Sequence, residues 1–452
     1  MTQSKTSTVT EYLDQEYSQY GLYVLENRAI PSVIDGFKPT QRKIIYIADK
    51  VWKIGTEKPL RIFQLGGRIA ADAHYHHGDG SLNSAIIGMA QSFKNSLPLL
   101  EDMGQFGSLR SPEAGAPRYI STRLTKNFRL LYKDFELLEN QVDEGNEIEP
   151  KYFLPIIPTV LLNGTSGIAV GFATTILNRN ALDLIEACQR VLDGKSFIEP
   201  LPWWSEYSGE VTRVGETNQY SMRGTYEIVN TTTVKITELP PSMTLQKYDA
   251  HLTALADKGT IVSYDDNSAA SVSYTLKFAR ATLADLIQRD RLDQTLKMVE
   301  TETENLTCLD EHGKLMVFNS VTEVVNHFVK FRLGFYQKRK DYLLDKIKRE
   351  LEYLTNRAKF VKYIISGDLE INNRPKSEIV QDLELHSFSK IDNSFNYLLN
   401  MPIHSLTQET YYSLVQEVDL ARIEFQKIQN TEPIDMYKTD LFELKKNLKS
   451  KR

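Results

Sequence analysis

The chain has 452 residues, 41% of them hydrophobic, which is enough for roughly three domains with a core each. Its 54 Lys and Arg face 59 Asp and Glu, a net charge of −5 that argues against a generic polycationic coat for nucleic acid and requires any DNA-facing surface to be local. No apolar run approaches the roughly 20 residues of a membrane span, the polar start MTQSKTSTVTEY lacks the apolar core of an export leader, and the two cysteines, Cys188 and Cys308, are far apart in sequence, so a reducing, cytoplasmic setting is expected.

Taken in order, residues 2–18 suggest an extended polar arm, a usual place for partner contacts. From Arg28 the pattern turns helical, Pro31 and Pro39 punctuate it, and residues 41–51 form an amphipathic helix on Ile44, Ile45 and Ala48, with Arg42 and Lys43 on or near its polar face. Between Lys38 and Arg68, eight basic residues (Lys38, Arg42, Lys43, Lys50, Lys53, Lys58, Arg61, Arg68) outnumber Asp49 and Glu57, whereas residues 136–149 are acidic. Segregated charge suits a polyanion-facing surface, though a solvated helix face has the same composition.

His74, His76 and His77 sit in the run HYHHGDGS (74–81). A zinc site would want spaced Cys and His ligands, and no Cys is near. Asp79 or Ser81 instead caps a helix over 82–93, with Ile86, Met89, Ala90 and Phe93 inward, and a helix N-terminus beside glycines and histidines is a phosphate-binding corner. Two satisfied core histidines are the bland alternative. GQFGS (104–108) marks a turn.

The stretch SPEAGAPRYISTRLTKNF (111–128) runs small residues up to Arg118 and Tyr119, with Arg123, Lys126 and Arg129 following. Cations that favour the phenolate turn a phenol into a nucleophile towards a phosphodiester, and a phosphotyrosyl ester keeps the bond energy for resealing. Spacing alone leaves this an ordinary surface pair, one of 23 tyrosines beside an arginine. Pro155 and Pro158 stiffen a connector over 151–159. NGTSGIAVG (163–171) is glycine-rich without the Gly-Lys-Ser/Thr of a P-loop, and Ile168 by itself is most simply a core residue in a turn. A helix over 181–192 precedes alternating, strand-like runs at 209–212, 226–229, 233–236 and 272–276. Residues 322–365 form the longest helix, on which Ile347, Leu351, Leu354, Ala358 and Val361 step by four and three. Gly367 and Pro375 end it, and a returning helix over 407–428 carries Leu414, Val418, Ala421 and Phe425.

APRYISTRL (116–124) resembles the active-site segment of type II DNA topoisomerases. IPSVIDGFKPTQRKIIY (30–46), AHYHHGDGSLNSAIIGMAQSF (73–93) and YFLPIIPTVLLNGTSGIAVG (152–171) resemble other motifs of the same family, in the same order. ITELP (236–240), Pro202-Trp203, FRLGFYQKRKDYL (331–343) and YLLNMPIHSL (397–406) resemble later segments of its eukaryotic members. The resemblance implies an α+β multidomain fold: an arm (1–27), a winged-helix cleavage domain (28–150), an α/β tower domain (151–322), and a coiled-coil arm with a small helical dimerisation tip (323–452). It implies that Tyr119 attacks DNA while Arg118 stabilises the phosphorane, and that Arg28 and His77 clamp the scissile phosphate. It further implies that Lys38, Arg42, Lys43 and Arg123 hold flanking backbone, with His76 beside them in a more structural part, and that Ile168 is an apolar wedge between base pairs.

The chain contains no P-loop, D-x-D pair or E-G-D-S-A-like segment. The ATP and Mg²⁺ that this family needs are therefore expected on a separate partner subunit, with a homodimer of this chain and double-stranded DNA completing the assembly. HYHHGD without an intervening proline places the chain nearer the eukaryotic type, and its setting would be a host cell's cytoplasm if the source is viral. Two other readings stand beside this one: a non-catalytic DNA-bending or scaffold protein of the same fold, and the breakage-rejoining chain of a bacterial topoisomerase IV.

Overall fold

The computed structural model describes residues 8–52, 58–269 and 271–450, and the chain falls into two compact units, one of residues up to Arg332 with those from Asp440 on, the other Leu333–Thr439. Lys53 and Glu57 lie outside the described residues. The architecture is α+β, as the resemblance implied.

In the first unit, residues 9–29 are helical where an extended arm was expected over 2–18, residues 2–7 of which lie outside the described residues. The helix is seated by Leu25 and Ala29, which pack with Ile30 and Leu309, while Tyr12, Leu13, Tyr17, Tyr20, Leu22 and Tyr23 stay exposed. Alternating polar and apolar residues concealed a helix that has one short buried face. Three helices follow: α1 (Pro39–Val51), α2 (Ile62–Asp72), which no sequence pattern announced, and α3 (Asp79–Ala90). Helix α1 buries Ile44, Ile45, Ile47 and Ala48, and α2 buries Ile62, Leu65 and Ile69, so each presents an apolar stripe to the other two. A two-residue ladder, β1 (Leu60–Arg61) against β2 (Ser121–Thr122), joins the start of α2 to the segment after Tyr119.

The acidic run forms a hairpin, β3 (Asn140–Asp143) and β4 (Asn146–Pro150), that turns back onto the basic helices: Glu149 accepts from Lys43, and Asp143 from His74. The charges segregated in sequence are thus neighbours in space. The connector after it is buried from Phe153 to Val160 and leads into a second hairpin, β5 (Thr165–Ile168) and β6 (Ala173–Ile176).

Two antiparallel sheets follow α4 (Ala181–Leu192). One has the order β13-β8-β7 (Val299–Thr303, Gln219–Arg223, Glu210–Arg213). The other has β11-β12-β10-β9 (Ser263–Asp266, Tyr274–Lys277, Thr233–Glu238, Thr225–Asn230). Between the strand-like runs, where the sequence reading named no helix, Leu245–Asp257 forms α5, capped by the Thr244 hydroxyl, and lays Tyr248, Leu252 and Leu255 on the four-stranded sheet.

The long helix α6 (Val321–Ser366) and the returning α7 (Gln408–Asn430) match their expected bounds within a few residues. In the second unit, Leu354, Ala358 and Val361 interlock with Leu414, Val418 and Ala421. A small helical knob closes on Phe360, Leu369, Ile379, Leu383, Phe388, Phe395 and Leu398. A further helix, α8 (Pro433–Lys449), was not foreseen, and its Tyr437 stacks on Tyr336 at 4.5 Å.

Candidate active site

Tyr119 ends a turn whose backbone is held on three sides. Its own N–H donates to Ala116 O at 2.9 Å, Phe63 N donates to Pro117 O at 3.4 Å and Ile62 N to Ile120 O at 3.2 Å, so the first turn of α2 grips the main chain around the tyrosine. The Arg61 guanidinium adds a side-chain bond to the Tyr119 carbonyl. Ile120, next along, is buried at 2% exposure, which anchors the turn from beneath. The phenol itself is 70% exposed, and the Arg118 guanidinium lies 5.9 Å from the centre of its ring.

The loop before the turn is fastened just as firmly. Gln91, buried after the last turn of α3, donates to Phe106 O at 2.8 Å and Pro112 O at 3.1 Å, and so ties both limbs of the loop to that helix. Gly107 has φ +84°, and a Cβ there would come within 2.7 Å of Ser111 O, so the turn at GQFGS requires glycine. Arg110 donates to Pro240 O, Met243 O and Leu239 O and pairs with Glu238 at 2.5 Å, which makes the ITELP segment the loop's outer support. Sequence reasoning missed Gln91 and Arg110. The only signal for them was that Gln91 lies in the 73–93 motif and that ITELP, which supports Arg110, belongs to the same resemblance.

The histidine corner lies at the start of α3. Its N-cap is Gly78, not Asp79 or Ser81, and no side chain caps it, since the Asp79 carboxylate accepts from the adjacent Gly80 N–H. That carboxylate takes the Gly80 amide, and the Asp79 and Ser81 amides of the first turn stay open beside exposed His77. The His77 ring packs edge-on against Tyr75 at 5.4 Å, and exposed Arg28 lies close enough to Tyr75 to act on its phenol electrostatically. His76 is exposed and 4.0 Å from Asp143, whereas His74 makes the close bond to that carboxylate, at 3.0 Å. The structural member of the trio is therefore His74. Arg28 and His77 thus share Tyr75 as a neighbour, Arg118 lies over the Tyr119 ring, and among the described residues no hydrogen bond joins the two pairs.

Lys38 reaches across to Ser166 O at 2.6 Å, beside Ile168 at the end of β5, and burial lowers its ammonium below the usual lysine range. Ile168 is 87% exposed rather than a core residue. Gly167 makes this close approach possible, because a Cβ there would lie 2.1 Å from Ala29 O.

Three expected surface cations occupy other positions. Arg42 is buried, not on the polar face: its Nε and Nη2 donate to the two Asp35 oxygens at 2.8 and 3.1 Å. Asp35 also accepts from Phe37 N and Phe153 N, so this carboxylate is a hub that only a buried guanidinium could balance. Lys43 donates to Ala73 O at 2.6 Å and Glu149 at 2.9 Å, and Arg123 pairs with Glu101 at 2.6 Å. The amphipathic pattern misled because a buried ion pair has the same letters as a solvated one.

No group of three or more His, Cys, Asp or Glu side chains that could hold a metal ion occurs among the described residues.

Over residues 28–443 the chain matches the family of DNA gyrase/topoisomerase IV A subunits. It is 34% identical over 440 residues to the DNA topoisomerase medium subunit of Enterobacteria phage T4, covering 96% of this chain and 98% of that one. Against the mitochondrial DNA topoisomerase 2 of Dictyostelium discoideum it is 32% identical over 98% of its own length but spans only 35% of that enzyme. The crystal structure of the Plasmodium falciparum topoisomerase II DNA-binding, cleavage and re-ligation domain superimposes with a TM-score of 0.84 at 30% identity, covering 96% of this chain and 63% of that one. A fastened turn presenting an exposed tyrosine beside an arginine thus sits in a chain that belongs, with the A subunits of DNA gyrase and topoisomerase IV, to the type II DNA topoisomerases.

Proposed function

We propose that this chain is the breakage-and-rejoining subunit of an ATP-dependent type II DNA topoisomerase and that Tyr119 is its nucleophile. The observation that carries the reading is a phenol 70% exposed on a turn whose main chain is pinned by α2 and by Arg61. The Tyr119 oxygen attacks a DNA phosphorus, the phenolic proton leaves, and the P–O3′ bond breaks, giving a 5′-phosphotyrosyl link and a free 3′-hydroxyl. Resealing reverses each change. Arg118 stabilises charge on the phosphorane oxygens, and Arg28 with His77 clamps the scissile phosphate. Lys38 faces the flanking backbone, and Ile168 enters the stacked bases as a wedge that bends the duplex. Arg42 and Lys43 act behind this surface through Asp35 and Glu149, and Arg123, half-buried and paired with Glu101, holds flanking backbone. His76 lines the same face.

Two copies of the chain, joined through the helical knob of the second unit, present two tyrosines to opposite strands, and a second duplex passes through the break. ATP hydrolysis and the magnesium that assists both displacements belong to a partner subunit, in keeping with the missing P-loop and acidic motifs. The exposed aromatic face of residues 9–29 carries Asp14, Glu16 and Glu26 and no Lys or Arg before Arg28, so it repels phosphate and suits a protein contact. The assembly works in the cytoplasm of the cell that makes it.

Tyr119→Phe tests the reading. With partner, Mg²⁺ and DNA present, the variant should bind DNA within about twofold of wild type and yield no covalent protein–DNA adduct after denaturant trapping. An adduct surviving in the variant overturns the mechanism, and no adduct from wild type under any condition favours a scaffold.

A further inference from the structure

The side-chain grip on the Tyr119 main chain comes from Arg61, a residue outside the motifs that the sequence marks only as one member of a basic run. Its backbone position is preset: Arg61 pairs with Ser121 in the β1–β2 ladder, and its N–H donates to the Gln64 side chain at 3.1 Å. From there the guanidinium reaches across the ladder and donates through Nη1 to the Tyr119 carbonyl. The neighbouring amides of α2 hold Pro117 and Ile120, one residue to either side of the Arg118–Tyr119 pair. The Tyr119 carbonyl is therefore fixed by a cation where the flanking carbonyls are fixed by backbone.

We propose that Arg61 is a positioning residue for the nucleophile. By holding the Tyr119 carbonyl it sets the direction in which Cα and the phenol leave the turn, and it does so from an exposed site, so it orders the segment without supporting the core. A guanidinium has five N–H donors, and one engaged with a carbonyl leaves others on the same rigid fork for a DNA phosphate. Misplacement of a reacting group by about 1 Å costs on the order of 100-fold in rate, which is the scale of effect available to such a contact.

The inference rests on Tyr119 being the nucleophile, and the test separates the two. Wild type, Arg61→Lys and Arg61→Ala are each assembled with the partner subunit, Mg²⁺ and a pre-nicked duplex that traps the adduct. Single-turnover adduct formation at saturating DNA is compared with DNA affinity and thermal midpoint. Arg61→Ala should slow adduct formation by about 10- to 100-fold, with affinity changed less than about threefold and the midpoint unmoved. Arg61→Lys, which keeps the charge and a donor group without the planar fork, should recover part of the rate, and amide exchange at Tyr119 should quicken in Arg61→Ala alone. Arg61→Ala cleaving at the wild-type rate overturns the proposal while Tyr119→Phe inactivity keeps the nucleophile reading. A rate loss matched by loss of affinity or of folding, with no rescue by lysine, also overturns it. Absence of adduct from wild type removes both.

Discussion

Two regions of the first unit use the same side chains to opposite ends. Around Asp35, an arginine and a tyrosine are fully enclosed: Arg42 forks onto the carboxylate, the Tyr132 hydroxyl donates to Asp35 O at 3.3 Å, and burial pushes that phenol well above its usual range. Gly36 sits between, with φ +71° and Val160 N where a Cβ would stand, 2.6 Å away. Around Tyr119, an arginine and a tyrosine are turned outward, with main-chain bonds and one exposed guanidinium restraining them. The first pair is unreactive because it is buried with its hydrogen bonds turned into the fold, and the second is available because its side chains are exposed. Residue type does not separate them, but the location of the hydrogen bonds does.

The comparison breaks first on stability. Removing one partner of a buried pair strands the other, so Arg42→Ala and Glu304→Gln, whose partner Arg179 is fully buried at 2.6 Å, should each destabilise the fold by about 3–5 kcal/mol in denaturant unfolding. Arg42→Ala folding normally and losing only DNA affinity would return Arg42 to the DNA face. On the outward side the order reverses. Arg118→Ala should lower adduct formation by about 100- to 1,000-fold yet leave stability within about 0.5 kcal/mol, because the side chain is exposed. Ile168→Ala, at an equally exposed site, should reduce DNA bending measured by energy transfer across the cut site, with stability again unchanged within about 0.5 kcal/mol.

Lys38 lies between the two regimes and gives the smallest effect. Its folded-state pKa is depressed by burial, so between that value and the usual 10.5 the unfolded chain holds a proton that the folded chain has lost. Protonation then favours unfolding, the penalty is fully present below the folded-state value, and wild-type stability should rise as pH climbs through that window. Lys38→Met should flatten that rise and weaken DNA binding together. A rise persisting in the variant would assign the titration to another group.

The sequence held the family and most of the candidate chemistry in short motifs, because RY, YHHGD and NGTSGIAVG keep their meaning without neighbours in space. It held the long helices equally well, since heptad steps such as Leu354, Ala358 and Val361 are local. Burial of charge was not legible. Arg42, Lys43 and Arg123 looked solvated because Asp35, Glu149 and Glu101 lie 7, 106 and 22 residues away, and only the fold brings them near. Helices α2 and α5 were hidden for a related reason: glycines in one and strand-like flanks in the other weaken the local signal that packing restores. Arg110 and Gln91 act through carbonyls, which no side-chain pattern announces.

The most direct test is to trap the cleaved complex in denaturant, digest protein and DNA, and find by mass spectrometry which residue carries the nucleotide. The account predicts a 5′-phosphoryl nucleotide on Tyr119 and on none of the other 22 of the 23 tyrosines. A nucleotide on any other side chain, or a 3′-linked one, would contradict it.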